Sequence, residues 1–177
     1  MKIEIMEFFT ESAKVITNPD DLFYIKTEGD DKHGILALIF YSLMLALVLG
    51  IATGDIVMAG MLLLVFLFLS VFYKFVQALF AFIFARILGG SGSFMNTFNL
   101  MSYSSVLNIF IIVGIALLTL GFGVIFPIMI LVVLWKMVIE IIAVSEEHSL
   151  GYAKSFLSTA GIPLIIFIIV VFIGGLV

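Results

Sequence analysis

The feature that most restricts the fold of this chain is a series of long, uninterrupted apolar segments. A helix needs about 20 apolar residues to cross the hydrocarbon core of a bilayer. Five segments approach that length, and they lie at about residues 34–51, 57–88, 104–120, 124–144 and 161–177. Polar residues or glycines separate each segment from the next. The sequence therefore predicts an all-α fold, a polytopic membrane helix bundle with five transmembrane helices and short amphipathic cytoplasmic helices.

Composition agrees with an integral membrane protein and excludes several other classes. Of the 177 residues, 64% are hydrophobic and 11% are charged, and the mean hydropathy is +1.36. The absence of cysteine excludes disulfides, thiolate metal sites and cysteine nucleophiles. The net charge of -4 argues against a nucleic-acid partner. The acidic first 14 residues lack an apolar core, so we expect no cleavable signal peptide.

Charge divides the chain into two parts and predicts its orientation. Residues 1–33 carry eight of the twelve acids and four of the eight Lys and Arg residues, so we interpret them as a cytoplasmic amphipathic segment and residues 34–177 as the transmembrane domain. Lys and Arg concentrate in short cytoplasmic loops. They precede span one and lie in or beside the second and fourth loops, whereas the first and third loops have none. We therefore predict a cytoplasmic N-terminus and an external or lumenal C-terminus, in the cell membrane if the source is prokaryotic.

The second span is longer than a bilayer requires. At 1.5 Å per residue, 32 residues extend about 48 Å. The span is therefore expected to tilt or to project beyond the membrane. The depth of Lys74 depends on which of the two occurs.

Short amphipathic helices are predicted before spans one and three. In a helical projection, residues 3–17 form an apolar face and a mainly acidic face. The apolar face comprises Ile5, Phe9, Ala13 and Ile16. The mainly acidic face comprises Glu4, Glu7, Glu11 and Lys14. The acidic face disfavours anionic lipid headgroups, so the apolar stripe either packs under the bundle or docks a partner. Asn18 is expected to cap a second helix that starts at Pro19, and Ser93 to cap a helix over residues 94–103.

Three motifs match the order and spacing of one membrane-protein family. The first is the turn Pro19-Asp20-Asp21-Leu22-Phe23 ahead of span one. The second is the loop Gly89-Gly90-Ser91-Gly92-Ser93-Phe94, which continues through a short helix to Tyr103-Ser104-Ser105. The third is Trp135 in span four, followed by His148 and then Ala153-Lys154. Together they resemble the Yip family, five-span membrane proteins named for interacting with Ypt/Rab GTPases, over nearly the whole chain.

This resemblance implies a Yip-domain fold with a cytoplasmic N-terminus and a lumenal or external C-terminus. For eukaryotic relatives it implies roles in vesicle budding, membrane shaping and Rab recruitment. The short N-terminal region departs from those relatives and suggests a compact prokaryotic member, for which the family implies a fold more firmly than a function. High Ile content and a single Gln suggest an archaeal source.

Polar residues inside the predicted spans form a candidate intramembrane site that comprises Lys74, Gln77, Asn108, Lys136 and Glu140. A charged side chain at bilayer depth costs about 2.5 to 3.5 kcal/mol on insertion scales. Lys136 and Glu140 stand four residues apart on one face of span four and can pair, although the Lys-first order is the less favourable one. Lys74 approaches Glu140 only if span two projects into the cytoplasm, which its length allows, and Arg86 is the rival partner. Two interpretations stay open, a polar cavity for an ion, proton or lipid headgroup and an interhelical clamp with lysine snorkelling.

The sequence contains no recognisable catalytic pattern. The two histidines lie far apart, and neither HExxH nor G-x-S-x-G occurs, so we expect no enzyme, metal or cofactor. Glu146-Glu147-His148 is interpreted as a solvated loop and Trp135 as a packing residue. The expected function is a membrane-organising, adaptor or scaffold role, with the lipid bilayer, a protein docked on the N-terminal helix and further copies of the chain as partners. The alternative is a small-molecule, ion or lipid carrier that uses Lys74, Lys136 and Glu140.

Overall fold

The computed structural model describes residues 5–27, 32–161, 164–165, 168 and 171–172, and every regular element in this part of the chain is helical. The helices are α1 (Ile5–Thr17), α2 (Pro19–Lys26), α3 (His33–Ala52), α4 (Ile56–Ile87), α5 (Phe94–Ser102), α6 (Asn108–Thr119), α7 (Ile125–His148) and α8 (Tyr152–Phe156). A 3-10 turn, Tyr103–Leu107, joins α5 to α6, and a π-helical turn, Leu157–Gly161, follows α8. The predicted all-α class is confirmed.

Four helical segments in the described residues are long and apolar enough to cross a membrane. They are α3, α4, α7 and the continuous run Phe94–Leu118. That run contains α5, the 3-10 turn and most of α6, so the short helix predicted before span three continues into the span without an intervening loop. Of the predicted fifth span, 161–177, the structure describes only residues 161, 164–165, 168 and 171–172, and the rest of this prediction lies outside the described residues.

Two helices begin where the sequence predicted, at Pro19 and after Ser93, and Asp55 caps a third helix, a cap that was not predicted. The Asp55 carboxylate accepts two backbone N–H groups in the first turn of α4, at 2.8 and 3.1 Å. The Ser93 hydroxyl accepts one in α5 at 3.2 Å, and Pro19 is the first residue of α2. The predicted cap at Asn18 is wrong, because its Nδ2 donates instead to Asp21 Oδ2 at 2.5 Å and no side-chain cap bond forms.

Helix α1 turns a different face to the bundle from the one its apolar stripe predicted. Its buried residues are Phe8, Glu11, Ser12 and Val15. Ile5 and Phe9 are exposed, with 71% and 48% of their surface accessible. Ala13 is exposed as well, and Ile16 is partly buried against the core. The predicted packing of the stripe under the bundle is therefore wrong for three of its four residues, and the physical reason is the set of partners that Glu11 finds.

The interior of the bundle is built on small side chains of α4. Ala78, Ala81 and Ala85 are buried on one face of this helix, and α3 and α5 pack against it. Small residues let helices approach closely in a membrane, where van der Waals contact drives association. Lys74 lies one turn before Ala78 and is buried as well, so its charge faces the bundle rather than the lipid.

Candidate functional site

An ion pair between α4 and α7 forms the centre of the polar site. Lys74 Nζ lies 2.5 Å from Glu140 Oε1, and both residues are 5% exposed. The same ammonium donates to Gln77 Oε1 at 2.9 Å and to Ser104 Oγ at 3.0 Å. Gln77 Nε2 and the Ser104 hydroxyl both donate to the Glu140 carboxylate, at 2.6 and 2.9 Å. The four side chains thus satisfy one another and tie α4, α7 and the 3-10 turn together.

The partner of Glu140 is therefore Lys74, not Lys136 as the four-residue spacing predicted. Lys136 donates to Asn108 Oδ1 at 2.6 Å, which joins α7 to the first residue of α6. Arg86 does not take part in this cluster, because its guanidinium donates to the Gly90 carbonyl and lies 5.8 Å from the Phe82 ring. Local spacing misassigned the pair because the packing of α4 beside α7 brings a closer cation.

A cavity of about 470 Å³ opens beside this cluster, among α3, α4, the 3-10 turn, α6, α7 and the π-helical turn. Its polar lining includes Ser42, Lys74, Gln77, Asn108, Lys136 and Glu140; we call it the polar cavity. Ser42 is 1% exposed, and its hydroxyl has no hydrogen-bond partner among the described residues. All five polar residues predicted from the sequence line this one space. Ser42 lines it as well, and Ser104 contacts Lys74 and Glu140 without lining the cavity; no charge pattern marked either serine.

The glycine-rich loop after α4 packs against the C-terminal end of α7. A Cβ atom on Gly90 would lie 2.7 Å from His148 Cβ, and one on Gly92 would lie 2.6 Å from the Glu147 carbonyl oxygen. Such contacts are far shorter than van der Waals distance, so only glycine permits this approach. The Ser93 N–H donates to Glu147 Oε1 at 2.7 Å, which links the start of α5 to α7.

His148 is the buried centre of this contact, not part of a solvated loop. It is 1% exposed, and its Nδ1 accepts the Gly92 N–H at 3.2 Å. Its Nε2 lies 2.9 Å from Thr97 Oγ1, whose hydroxyl donates to the Ser93 carbonyl at 2.6 Å. These partners place the imidazole proton on Nε2, and both ring nitrogens are used by the fold. The remaining motif glycine, Gly89, has φ of +97°, the left-handed region that favours glycine.

The proline and acid motif docks α2 onto the bundle. Phe23 is fully buried and its ring lies 5.9 Å from that of Tyr103. Pro19 is buried, and Asp21 is exposed. Asp20 Oδ1 accepts the Tyr152 hydroxyl at 2.6 Å, and this hydrogen bond raises the pKa of the Tyr152 phenol. The motif residues before span one and those after span four therefore meet at one end of the bundle.

The other motif residues lie at the surface of the described structure. Lys154 Nζ donates to the Leu88 carbonyl at 3.3 Å, and Ala153 beside it is exposed. Trp135 is 39% exposed and lines an apolar groove of about 350 Å³ with side chains from α1, the 3-10 turn, α6 and α7. Lys136 and Glu140, which line the polar cavity, do not line this groove.

Glu11 forms a second buried ionic cluster that the sequence did not predict. Its carboxylate lies 2.5 Å from Lys26 Nζ and 2.8 Å from His33 Nδ1. The Tyr103 hydroxyl donates to the same carboxylate at 2.8 Å. The partners come from α2, α3 and the 3-10 turn, so one residue of α1 joins four elements. Among the described residues, no group of three or more His, Cys, Asp or Glu side chains is arranged to hold a metal ion.

The chain matches one known protein family over most of its length. A family model described as the Yip1 domain matches residues 13–174, nearly the whole chain. The chain belongs to the Yip1 domain family. With its apolar helices, this membership makes it a multi-pass membrane protein. Comparisons with curated proteins and with solved structures gave no significant match.

The structure gives physical roles to the residues by which the sequence resembled the Yip family. In this Yip1 domain, the glycine loop and His148 form one packing unit at the C-terminal end of α7, and Phe23 with Tyr103 forms another beneath α2. Both units lie at the end of the bundle that carries α1 and α2. The motifs therefore describe how the short helices are fixed to the long ones.

Proposed function

We propose that this Yip1 domain is a membrane-organising adaptor whose helices α1 and α2 form a docking surface, the N-terminal platform, on the cytoplasmic side. Membership in a family with trafficking-related roles supports the general function. The charge asymmetry of the loops supports the orientation. The observation that carries the proposal is the Glu11 cluster, because it holds the platform on the bundle as a fixed surface rather than a loose tail.

The exposed chemistry of the platform favours a protein partner. Ile5, Met6, Phe9, Tyr24 and Ile25 expose between 48% and 84% of their surface. The acidic side chains of Glu7 and Asp21 are exposed on the same two helices. Helices that bind anionic lipid surfaces are usually rich in Lys and Arg instead. Apolar side chains among acids fit a protein that presents apolar and basic side chains.

Photo-crosslinking from the platform tests this role. A benzoylphenylalanine placed at Phe9 or at Tyr24 is expected to capture the same protein from native membranes, because both side chains are exposed on the platform. The same probe at Phe126 is the matched control and is expected not to capture that protein. Phe126 is 74% exposed and lies at the N-terminal end of α7, the end far from His148. Capture from Tyr24 should also be lost in a Met6→Ser variant whose thermal stability is unchanged. Crosslinks at both positions to lipids and copies of the chain alone would refute the adaptor role.

A carrier is the second candidate, and the polar cavity is the observation that favours it. Carriers usually bind substrates near the middle of the bilayer. Lys136 lines the cavity and lies near the middle of α7. Flux of a substrate into liposomes that contain only the purified protein would support this candidate over the adaptor. Loss of that flux in a Lys136→Gln variant would assign it to the polar cavity.

A further inference from the structure

The polar cavity carries an excess positive charge. Among the described residues, its charged lining side chains are Lys74, Lys136 and Glu140. Lys74 and Glu140 neutralise each other at 2.5 Å. The hydrogen bonds of Lys74 to Glu140, Gln77 and Ser104 use the three donors of its ammonium group. The cavity is therefore left with the charge of Lys136.

Lys136 has donors available for a ligand. Its ammonium donates to the Asn108 amide oxygen at 2.6 Å, and no described carboxylate forms an ion pair with it. Since an ammonium group has three donors, it can bind a further acceptor in the cavity. Lys136 is eleven residues from the start of α7 and twelve from its end, about 16 to 18 Å at the helical rise. At that position a cation gains strongly from an anionic partner.

Ser42 supplies an independent indication of a ligand. It lines the cavity from α3 and is 1% exposed, and its hydroxyl has no partner among the described residues. Buried polar groups in proteins are almost always hydrogen-bonded. A ligand that satisfied this hydroxyl as well as the ammonium of Lys136 would have to supply an acceptor oxygen to each of them.

We propose that the polar cavity binds a phosphate group, presented by the headgroup of a membrane lipid or as inorganic phosphate. Phosphate offers several charged acceptor oxygens to Lys136 and Ser42, which matches the excess charge and the unsatisfied donor. The cavity is also lined by Leu45, Phe66 and Ile111, which suit an acyl chain and favour the lipid as the source. This site is separate from the N-terminal platform, so it goes beyond the adaptor role and either proposal can fail alone.

Native mass spectrometry of the full chain in an uncharged detergent tests the site. Dioleoylphosphatidylglycerol is expected to bind once per chain in preference to dioleoylglycerol, which has the same acyl chains without the phosphate. In Lys136→Gln, which keeps a donor for Asn108, affinity for the phospholipid should fall about tenfold, as loss of one charged contact of about 1.4 kcal/mol implies. Ser42→Ala should weaken binding severalfold without loss of thermal stability, because its hydroxyl makes no bond within the described fold.

Control variants and ligands distinguish a phospholipid from free phosphate and show whether the binding site is real. Lys154→Gln removes the same charge from an exposed side chain and should bind the phospholipid like the unmodified protein. Thermal stabilisation by inorganic phosphate that depends on Lys136, without preference for the phospholipid, would assign the site to free phosphate. Equal binding of the phospholipid by Lys136→Gln and the unmodified chain, with no Lys136-dependent stabilisation by phosphate, would overturn the proposal. Equal binding of dioleoylglycerol and the phospholipid, with no Lys136-dependent stabilisation by phosphate, would also overturn the proposal.

Discussion

Replacement of Glu140 by Gln is expected to lower the free energy of unfolding by about 3 to 5 kcal/mol, because it leaves the charge of Lys74 buried without a partner. Lys74 is 5% exposed and lies on the face of α4 that packs inside the bundle. Unfolding in mixed micelles with increasing dodecyl sulfate would measure the change.

A second substitution separates the charge from the loss of packing. Lys74→Met combined with Glu140→Gln removes both charges and keeps an amide oxygen that can accept from Gln77 and Ser104. This double variant should recover most of the lost stability, since a buried ion pair often contributes little more than apolar residues of similar size. A Glu140→Gln protein within about 1 kcal/mol of the unmodified protein would contradict the role of the pair as an interhelical clamp.

Replacement of Gly34 by Ala is expected to cost about 3 kcal/mol of stability, at the upper end for overpacking. A Cβ atom at this position would lie 1.9 Å from the Asn99 carbonyl oxygen and 2.8 Å from Tyr103 Cδ2. Because the first of these atoms belongs to the backbone of α5, a rotamer change cannot remove the clash and α3 must move. The Ile35 N–H donates to the Asn99 side chain at 3.1 Å, so this hydrogen bond would be lost with the movement.

Gly60 provides the matched control for this substitution. It lies inside α4, and a Cβ atom there would meet nothing within 4 Å. Gly60→Ala should therefore keep or raise stability, since alanine is favoured over glycine in a helix interior by about 1 kcal/mol. Thermal unfolding of the two variants in the same detergent makes the comparison. Equal melting temperatures for both would show that α3 and α5 do not approach as closely as the structure places them.

The long helices and the helix starts were predictable because their signals are local. Apolar runs located α3, α4 and α7, and capping chemistry located the start of α5 at Ser93. The three motifs also identified segments that meet at one end of the bundle, as the contacts of Gly92 with His148 show. These features depend on residues close in sequence or on a pattern shared by a family.

The partners of the buried charges were not predictable because they come from distant residues. Helical periodicity assigned Glu11 to the solvent face, yet Lys26, His33 and Tyr103 supply its partners inside the bundle. Spacing also paired Glu140 with Lys136 on the same helix, whereas the packing of α4 brings Lys74 closer. A 32-residue helix has no unique depth in a bilayer, so sequence alone left the position of Lys74 open.

Cysteine labelling in intact cells tests most directly whether the N-terminal platform is presented to the cytoplasm. The chain contains no cysteine, so a single thiol at position 24 or 122 is the only target for a membrane-impermeant maleimide. Tyr24 is 68% exposed on α2, and Phe122 is 57% exposed between α6 and α7. We predict that Phe122→Cys is labelled in intact cells and that Tyr24→Cys is labelled only after permeabilisation. Labelling of Tyr24→Cys from outside, with Phe122→Cys protected, would contradict a cytoplasmic docking surface.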